Sequence, residues 1–514
     1  MTSFDTRPAW PFLLASLSVF IAVRFALQPT HELNIDTSAW ISSAISAARS
    51  DAPLWTLLNY SDSRPLTVFP LFILEFFGMS VDWALAGDVG VVLWGFTIVF
   101  FYAILRRWFT NWQALFYALP LLISQTTNFD ADYLAYNSEH ICVLMLTIGF
   151  WVLLQFEKNQ KTAWQYLLAG FWLGMLPFAK MQTVPMGLVL GFFFALFAFR
   201  RRQHWGVFAL LVGSILPTLL VNLYYFQKGE ISTFWNDYFW NYYYYSFTKT
   251  YSGVPVSSRF GPTYIFTFFF KIPANRVFWA TLFAVLLVGA VAVLRKIKAG
   301  KMSLFNQFWY NTHSLVSLFF LASLYAVLQS GNQFSHYLLL LVVPILLVAA
   351  LLVQFIAQPY RKWLWVVFVV AIGLEGIHNL YQNSLETPPQ IPVAEIDVCQ
   401  KIEQLVMPRQ KMSIWGYSDR FFVWSRVAAG NRLSHTFWVY WPSPLINYRQ
   451  QQFLQDMSQN QTDWFLDFST SSIEHNDKKY THDNFPKIAA YIGKNYQLVQ
   501  TVRSVRFYKR NHNH

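Results

Sequence analysis

Long apolar runs separated by short polar segments dominate the first 385 residues of the chain. A helix needs about 20 mostly apolar residues to cross a bilayer, and eleven runs come close to that length. They are 10–27, 86–105, 112–126, 138–155, 163–179, 181–199, 206–226, 276–294, 311–328, 335–356 and 363–381. We interpret the first run as a retained span, because it is longer than a usual signal-peptide core and no small-x-small site clearly follows it. The pattern predicts an all-α polytopic membrane domain with about eleven transmembrane helices.

A twelfth apolar stretch, 66–84, has a different character. It is bordered or interrupted by Pro65, Pro70, Glu75, Gly78 and Asp82. Such breaks suit an interfacial or re-entrant segment better than a spanning helix. We therefore expect this stretch not to cross the membrane. If it did cross, the number of spans would be twelve.

Positive charge predicts the sidedness, since cytoplasmic loops of membrane proteins collect Lys and Arg. If the N-terminus lies inside, every short basic cluster falls in a cytoplasmic loop. The clusters are Arg106 and Arg107; Lys158 and Lys161; Arg200, Arg201 and Arg202; Arg295, Lys296, Lys298 and Lys301; and Arg361 and Lys362. The first long loop, 28–85, and the C-terminal tail are then expected on the outer face, and the protein in the cytoplasmic (inner) membrane.

The tail, 385–514, changes character after the pair Pro388-Pro389. Charges are interspersed, and 413–417, 463–468 and 502–508 alternate in the manner of strands. Helical segments are expected near 395–406 and 484–494. The chain is thus predicted to contain a membrane domain, 1–384, and an extracytoplasmic C-terminal soluble α/β domain, 385–514.

Composition agrees with a membrane protein, because 55% of the residues are hydrophobic, 19% are aromatic and only 12% are charged, against about 25% charged in soluble domains. The net charge of +12 could suggest a nucleic-acid partner. Its placement in short loops argues against one. Cys142 lies in an apolar run and Cys399 in the tail, so no disulfide is expected between them.

Ionisable side chains at membrane depth are costly, by about 2.5–3.5 kcal/mol on insertion scales, and therefore call for an explanation. On the predicted topology they gather at the outer face. The candidates are Asp36, Arg64, Asp130, Asp132, Glu139, Lys180, Arg259 and His336. No Gly-rich phosphate loop, His/Cys metal motif or Gly-x-Ser-x-Gly sequence accompanies them.

Most of these residues also have an ordinary structural interpretation. Asp36 begins an amphipathic stretch and could cap a helix. Arg64 could be an interfacial anchor, Lys180 could extend to the interface, and His336 could bond a carbonyl. The Asp130-Ala-Asp132 pair could bind a divalent metal or be a solvated acidic pair. Glu139 is harder to explain in this way, because it begins an apolar helix.

Four stretches, taken in order, carry a family resemblance. They are Asp36-Thr-Ser-Ala-Trp-Ile-Ser-Ser-Ala44 after the first span, Ser63-Arg-Pro-Leu66, Ser138-Glu139 beginning a span, and His336-Tyr337 followed by Pro344 in a late helix. Gly174 to Lys180 is a weaker fifth match. In motif order and sidedness the chain resembles the type-C glycosyltransferases of the protein mannosyltransferase and aminoarabinose transferase superfamily. Thr37 in place of a second acid, and a single Pro after Arg64, depart from the family pattern.

The resemblance implies a membrane enzyme that takes a sugar from a polyprenyl-phosphate donor and passes it, with inversion, to a lipid, glycan or protein acceptor. Asp36 is then expected to be the base, with Glu139 or Asp132 orienting a substrate. The residues expected at the lipid phosphate are Arg64, Lys180, Arg259, His336 and Tyr337. The resemblance implies no definite cofactor, and a divalent metal bound by Asp130 and Asp132 is left open. Aromatic residues of 234–245 could contact a sugar or the prenyl chain, and membrane lipid is an expected partner.

Two other classes of membrane protein share part of this pattern. A secondary transporter has many spans and buried charges, but it has less need of an outer domain, and its acids lie nearer the midplane. An enzyme like the O-antigen ligases uses a lipid-linked substrate but builds its site in a large late outer loop.

Overall fold

The computed structural model describes residues 8–300, 312–385, 391–471 and 478–511. Lys301, Pro388 and Pro389 of the sequence predictions lie outside these ranges. The N-terminal three quarters of the described chain is helical. Its α-helices are Trp10–Ala26, Ile35–Ala48, Pro53–Asn59, Pro65–Phe76, Trp83–Leu105, Asn111–Thr127, Ala131–Leu134, Ser138–Lys158, Ala163–Gly174, Pro177–Lys180, Val184–Arg200, His204–Gln227, Ile231–Phe234, Asn241–Phe247, Pro262–Phe270, Arg276–Lys298, Thr312–Leu328, Leu339–Val353 and Gln358–Leu385.

Each of the eleven apolar runs coincides with one or more of these helices, apart from residue 311, which is not among the described residues. Within the described ranges, seven helical segments are long and apolar enough to cross a membrane. One of them, Ala163–Arg200, contains two predicted spans joined by a short break. The polytopic helical fold is confirmed, and the count of eleven stays a prediction.

The stretch predicted not to cross forms the helix Pro65–Phe76, which ends before Gly78 with φ +82°. Its 12 residues extend about 18 Å, well short of the roughly 30 Å hydrocarbon core. Glu75 near its C-terminal end pairs with Arg426 of the tail. Arg64 at its N-terminal end lines a cavity that the tail also lines. Both ends of the helix therefore lie near residues of the tail, and the prediction that this stretch does not cross the membrane stays a prediction.

The helices Ala163–Gly174 and His204–Gln227 pack with their backbones in close contact. Gly170 and Gly174 of Ala163–Gly174 face Leu210 and Ser214 of His204–Gln227, and a Cβ at Gly170 would lie 2.1 Å from the Leu210 carbonyl oxygen. Small residues four apart allow this approach in membranes, where dispersion and not the hydrophobic effect drives helix association. The contact fixes the helix that leads directly into the break carrying Lys180.

The tail folds into a small α/β domain around a five-stranded sheet. The strands are β1 (Lys411–Trp415), β2 (Ala428–Ala429), β3 (Trp464–Asp467), β4 (Tyr496–Val502) and β5 (Val505–Arg510), in the order β2-β1-β3-β5-β4. β1 runs parallel to β2 and β3, whereas β5 is antiparallel to β3 and β4. The helices are Val393–Leu405, Arg420–Ser425, Phe437–Tyr440, Ile446–Gln459 and Pro486–Asn495. The predicted α/β domain is confirmed.

Buried arginines fix this domain to the membrane part. Arg432 binds Asp456 within the domain at 2.6 Å and Glu230 of the membrane part at 2.8 Å. Arg420 donates to Glu32 at 2.5 Å, and Arg449 lies 3.2 Å from Asp237. The domain is therefore bound to two segments of the membrane part. They are the first loop, 28–85, and the segment 228–275, here called the aromatic loop.

Candidate active site

A cavity of about 350 Å³ lies between the membrane part and the C-terminal domain. Five residues singled out from the sequence line it: Asp36, Arg64, Lys180, His336 and Tyr337. A smaller lobe of about 60 Å³ adjoins it and shares Arg64 and Lys180. The structure thus gathers residues spread over 300 positions of sequence around one space.

Asp36 lies in the first turn of the helix Ile35–Ala48. Asn34 caps this helix, because its side chain accepts a hydrogen bond from the Asp36 backbone N–H at 2.9 Å. The capping role considered for Asp36 is therefore filled by Asn34. The Asp36 side chain lines the cavity instead.

Arg64 is presented by an unusual turn. Asp62 and Ser63 have φ of +45° and +62°, the left-handed region that residues other than glycine rarely adopt. The Ser63 hydroxyl holds the turn by donating to the Asp237 carbonyl at 2.8 Å. The Arg64 guanidinium lies 5.1 Å from the centre of the Trp40 ring, a cation–π distance.

Two carboxylates stabilise the positive charge of this guanidinium. Burial alone would lower the pKa of Arg64, but Asp62 and Asp36 outweigh it and raise that pKa above its ordinary value. Burial raises the pKa of Asp62 in turn, although Arg64 and Arg449 offset part of the effect. Asp62 was not among the candidates from the sequence. Its position two residues before Arg64 was the feature of the sequence that could have indicated it.

Lys180 and Glu139 form a buried ion pair at the floor of the cavity. Their side chains are 4% and 0% exposed. The Lys180 ammonium also donates to Ser138 Oγ at 3.2 Å and lies 4.3 Å from the centre of the Tyr337 ring. Glu139 therefore holds the lysine in place, and Lys180 is the member of the pair that lines the cavity.

Asp132 organises one edge of the site without being among the residues that line it. It accepts from Asn34 Nδ2 at 2.8 Å and from the Ser335 N–H at 3.1 Å, and its Oδ2 lies 3.4 Å from His336 Nδ1. Burial alone would raise the pKa of Asp132, but His336 and these donors outweigh it and lower the pKa to about 2. Asp132 thus connects the cap of the Asp36 helix to His336.

Arg259 lies outside the cavity lining. Its side chain is completely buried and donates to the carbonyls of Ser246 at 2.6 Å and Val254 at 3.0 Å, and also to those of Thr248 and Gln329. These bonds tie the aromatic loop to the chain before the late helix. The structure does not bring Arg259 together with the other predicted phosphate ligands.

Asp130 caps the short helix Ala131–Leu134 by accepting from the Asp132 N–H at 3.0 Å. Burial and the neighbouring Asp132 raise the pKa of Asp130. In the described part of the chain, no group of three or more His, Cys, Asp or Glu side chains is arranged to hold a metal ion. The contacts that the structure shows for this pair are thus the helix cap at Asp130 and the bonds of Asp132 to Asn34 and Ser335.

The C-terminal domain supplies the opposite wall of the cavity. The residues it contributes are Tyr417, His435, Phe437, Trp438 and Trp441. Sequence reasoning missed all of them, because they lie about 400 positions from Asp36 and carry no motif. Tyr245, from the aromatic loop, completes the wall and bonds the Tyr337 hydroxyl.

The arrangement combines a carboxylate with fixed cations in a partly closed space. A carboxylate beside a bound hydroxyl can accept its proton, an effect of about 10²–10⁴-fold on rate. Cations already in place stabilise negative charge that develops on a leaving group. The site therefore suits transfer of a group from a phosphate to a hydroxyl.

Comparison with the solved structure of ArnT shows the same fold. ArnT from Cupriavidus metallidurans, crystallised with undecaprenyl phosphate, matches with a TM-score of 0.56 and 12% identity, over 97% of this chain and 98% of that one. The archaeal oligosaccharyltransferase AglB from Archaeoglobus fulgidus, in complex with an inhibitory peptide and a dolichol-phosphate, gives a TM-score of 0.49 and 11% identity, over 98% of this chain and 74% of that one.

Sequence comparison gives a partial match. None of the curated proteins matches the chain. Residues 71–225 match the family described as dolichyl-phosphate-mannose-protein mannosyltransferase. The predicted resemblance to the type-C glycosyltransferases of the protein mannosyltransferase and ArnT superfamily is thus confirmed, by the fold of the chain and by this family match.

Proposed function

We propose that the chain is a membrane glycosyltransferase that moves a sugar from a polyprenyl-phosphate carrier to an acceptor hydroxyl at the outer face of the cytoplasmic membrane. The observation that carries this proposal is the single cavity in which Asp36, Arg64 and Lys180 meet. One carboxylate and two cations are the groups that such a transfer needs. The undecaprenyl phosphate in the ArnT structure supports a carrier of the same chemical class.

In the proposed reaction, the acceptor oxygen attacks the anomeric carbon as its proton passes to the Asp36 carboxylate. The bond between that carbon and the phosphate oxygen breaks, and the electron pair leaves with the carrier phosphate. Attack from the face opposite the phosphate inverts the anomeric configuration, and no covalent sugar–enzyme intermediate is needed.

Arg64 and Lys180 have distinct parts in this scheme. The planar guanidinium of Arg64 suits two-point contact with phosphate oxygens, and the strained turn before it limits its freedom. Lys180 adds a point charge whose position Glu139 fixes. His336, held by Asp132, and Tyr337 complete the set of donors at the phosphate.

The architecture also suits a lipid donor. The prenyl chain can remain among the membrane helices while the phosphate reaches the cavity between membrane part and outer domain. A nucleotide-binding domain is then unnecessary.

The first experiment is a binding measurement on the full-length protein in nanodiscs, with undecaprenyl phosphate as the probe. We expect Arg64→Ala to weaken binding about tenfold or more, since one charge-assisted contact contributes about 1.5–3 kcal/mol. Arg503→Ala, on the exposed surface of the C-terminal domain (54% exposed), is the matched control. Equal affinity of Arg64→Ala and the control would remove Arg64 from the phosphate site.

The second experiment compares cell-envelope glycolipids and glycans by mass spectrometry, with cells that express the wild type, Asp36→Asn or no protein. We expect a sugar addition that depends on the wild type and is absent with Asp36→Asn, although that variant still binds undecaprenyl phosphate. A sugar addition retained with Asp36→Asn would exclude Asp36 as the base. A transporter would instead change the amount of a solute and leave the glycans unmodified.

A further inference from the structure

The two walls of the cavity differ in chemistry. The membrane part provides all the carboxylates and the Arg and Lys side chains of the lining, together with the rings of Tyr245, Tyr251, Phe334 and Tyr337. The C-terminal domain provides four aromatic rings and the imidazole of His435, without a carboxylate, Arg or Lys. Every residue that lines the smaller lobe belongs to the membrane part except Trp438. A substrate that extends from the cations toward the C-terminal domain therefore passes from a phosphate-binding environment to a ring-binding one.

The aromatic wall is built as a continuous surface. The rings of Phe437 and Trp441 are stacked, with centroids 4.8 Å apart and an angle of 27° between their planes. Trp438 joins them edge-on at 5.2 Å from Phe437, and Tyr251 of the membrane part braces Trp438 at 4.9 Å. All three residues of the wall are only half-buried. Rings held rigidly by one another, yet still accessible, are ready to stack on a ligand.

Beside these rings stands a fixed imidazole. His435 is 6% exposed, and its Nδ1 lies 3.0 Å from Oδ2 of the fully buried Asp419. Tyr417 packs edge-on against the imidazole at 4.8 Å. Since Asp419 occupies Nδ1, Nε2 is the ring nitrogen left for a ligand in the cavity. The buried Trp438 Nε1 has no hydrogen-bond partner among the described residues and is a second donor that a ligand oxygen would satisfy.

We propose that the C-terminal domain forms the acceptor half of the site, in which Phe437, Trp438 and Trp441 stack on a saccharide and His435 donates to one of its oxygens. The acceptor is then a glycan or a glycan-bearing lipid. This inference rests on the proposed function and adds the class of acceptor to it.

The shape of the site supports a saccharide over a peptide. A volume of about 350 Å³ is at the small end of the roughly 300–1,000 Å³ found for small-molecule sites. Peptides are usually bound by main-chain hydrogen bonds at a strand edge or in a long groove. Here the C-terminal domain offers ring faces and two side-chain donors instead. Those features match the apolar faces and the hydroxyl rim of a sugar ring.

The test uses full-length protein in nanodiscs and two probes, an array of defined oligosaccharides and undecaprenyl phosphate. Variants are Trp441→Ala, Trp441→Phe and His435→Gln, and Leu498→Ala is the control on the exposed part of β4 (48% exposed). We expect the wild type to bind oligosaccharides, with about tenfold weaker binding for Trp441→Ala and His435→Gln. Trp441→Phe, which keeps a ring, should lose about threefold or less.

Affinity for undecaprenyl phosphate is the second readout. We expect Trp441→Ala and His435→Gln to change it less than about twofold. A parallel loss for both probes would assign the aromatic wall to the donor and overturn the inference. Oligosaccharide binding that is unchanged in Trp441→Ala, or absent in the wild type, would overturn it as well. If the wild type failed to bind undecaprenyl phosphate, the proposed function itself would be the part that fails.

Discussion

The attachment of the C-terminal domain can be tested at Arg432, one of the buried cations between the two parts of the protein. Its side chain is 3% exposed. It binds Asp456, itself 3% exposed, and reaches Glu230 and Asn59 of the membrane part at 2.8 and 3.1 Å. Burial alone would lower the pKa of Arg432, but Asp456 and Glu230 outweigh it and raise the pKa well above the ordinary value. The arginine is thus charged and shared between both parts of the protein.

Arg432→Met keeps most of the side-chain volume but leaves Asp456 buried without its cation. Removal of one partner from a buried ion pair costs about 3–5 kcal/mol. With an m-value of about 2 kcal/mol/M, the midpoint of urea unfolding would fall by roughly 1.5–2.5 M. The buried Trp415 and Trp464 in the sheet report this unfolding by fluorescence in the detergent-solubilised protein.

Two controls distinguish the cost of leaving the Asp456 carboxylate unpaired from the cost of losing an ion-pair contact in general. Arg503→Met breaks an exposed ion pair with Asp397, so it should cost about 0–1 kcal/mol. The double variant Arg432→Met/Asp456→Asn removes both charges and should recover most of the stability. A cost for Arg432→Met as small as that for Arg503→Met would refute the reasoning. So would a double variant as unstable as the single one.

Three further predictions follow from the contacts of the site. Arg259→Met should lower the unfolding temperature, because four carbonyls lose their donor, while affinity for undecaprenyl phosphate changes less than about threefold; a larger loss would place Arg259 among the ligands. Glu139→Gln should destabilise the protein by about 3–5 kcal/mol in urea unfolding, because it leaves the buried Lys180 unpaired; an unchanged midpoint would contradict this. For His435, burial alone would lower the pKa, but Asp419, Asp62 and Asp36 outweigh it and raise that pKa above 6.5. Its contribution to stability is then complete below pH 6.5 and is lost as pH rises through the folded-state pKa. The stability difference between wild type and His435→Gln should accordingly shrink from pH 6 to pH 9, and a constant difference would exclude this linkage.

The membrane fold could be predicted from the sequence because apolar length and charge sidedness have direct physical meaning in a bilayer. Each of the eleven apolar runs is an example, since it lies where the structure has one or more helices. The small α/β domain followed from alternation alone. Its hairpin between β4 and β5 did not, because the turn places Arg503 and Ser504 at φ +48° and +64° without the Gly or Asn that usually marks such a turn.

The candidate site was predictable only on the membrane side. Asp36, Arg64 and Lys180 stood out because charges near apolar helices need a reason. His435 and Trp441 are ordinary residues for a soluble domain, and only tertiary docking brings them to the cavity. Arg259 was predicted at the phosphate but binds backbone carbonyls instead. The sequence cannot distinguish an arginine of this kind from one that faces a ligand.

The helix Ile35–Ala48 carries Asp36 at its start, and near its end the hydroxyl of Ser46 accepts from the backbone N–H of Ala429 in β2 at 2.9 Å. This helix, about 21 Å long, therefore links the Asp36 carboxylate in the cavity to the sheet of the C-terminal domain. A movement of β2 relative to the membrane part would either carry this helix, and Asp36 with it, or break the bond between Ser46 and Ala429.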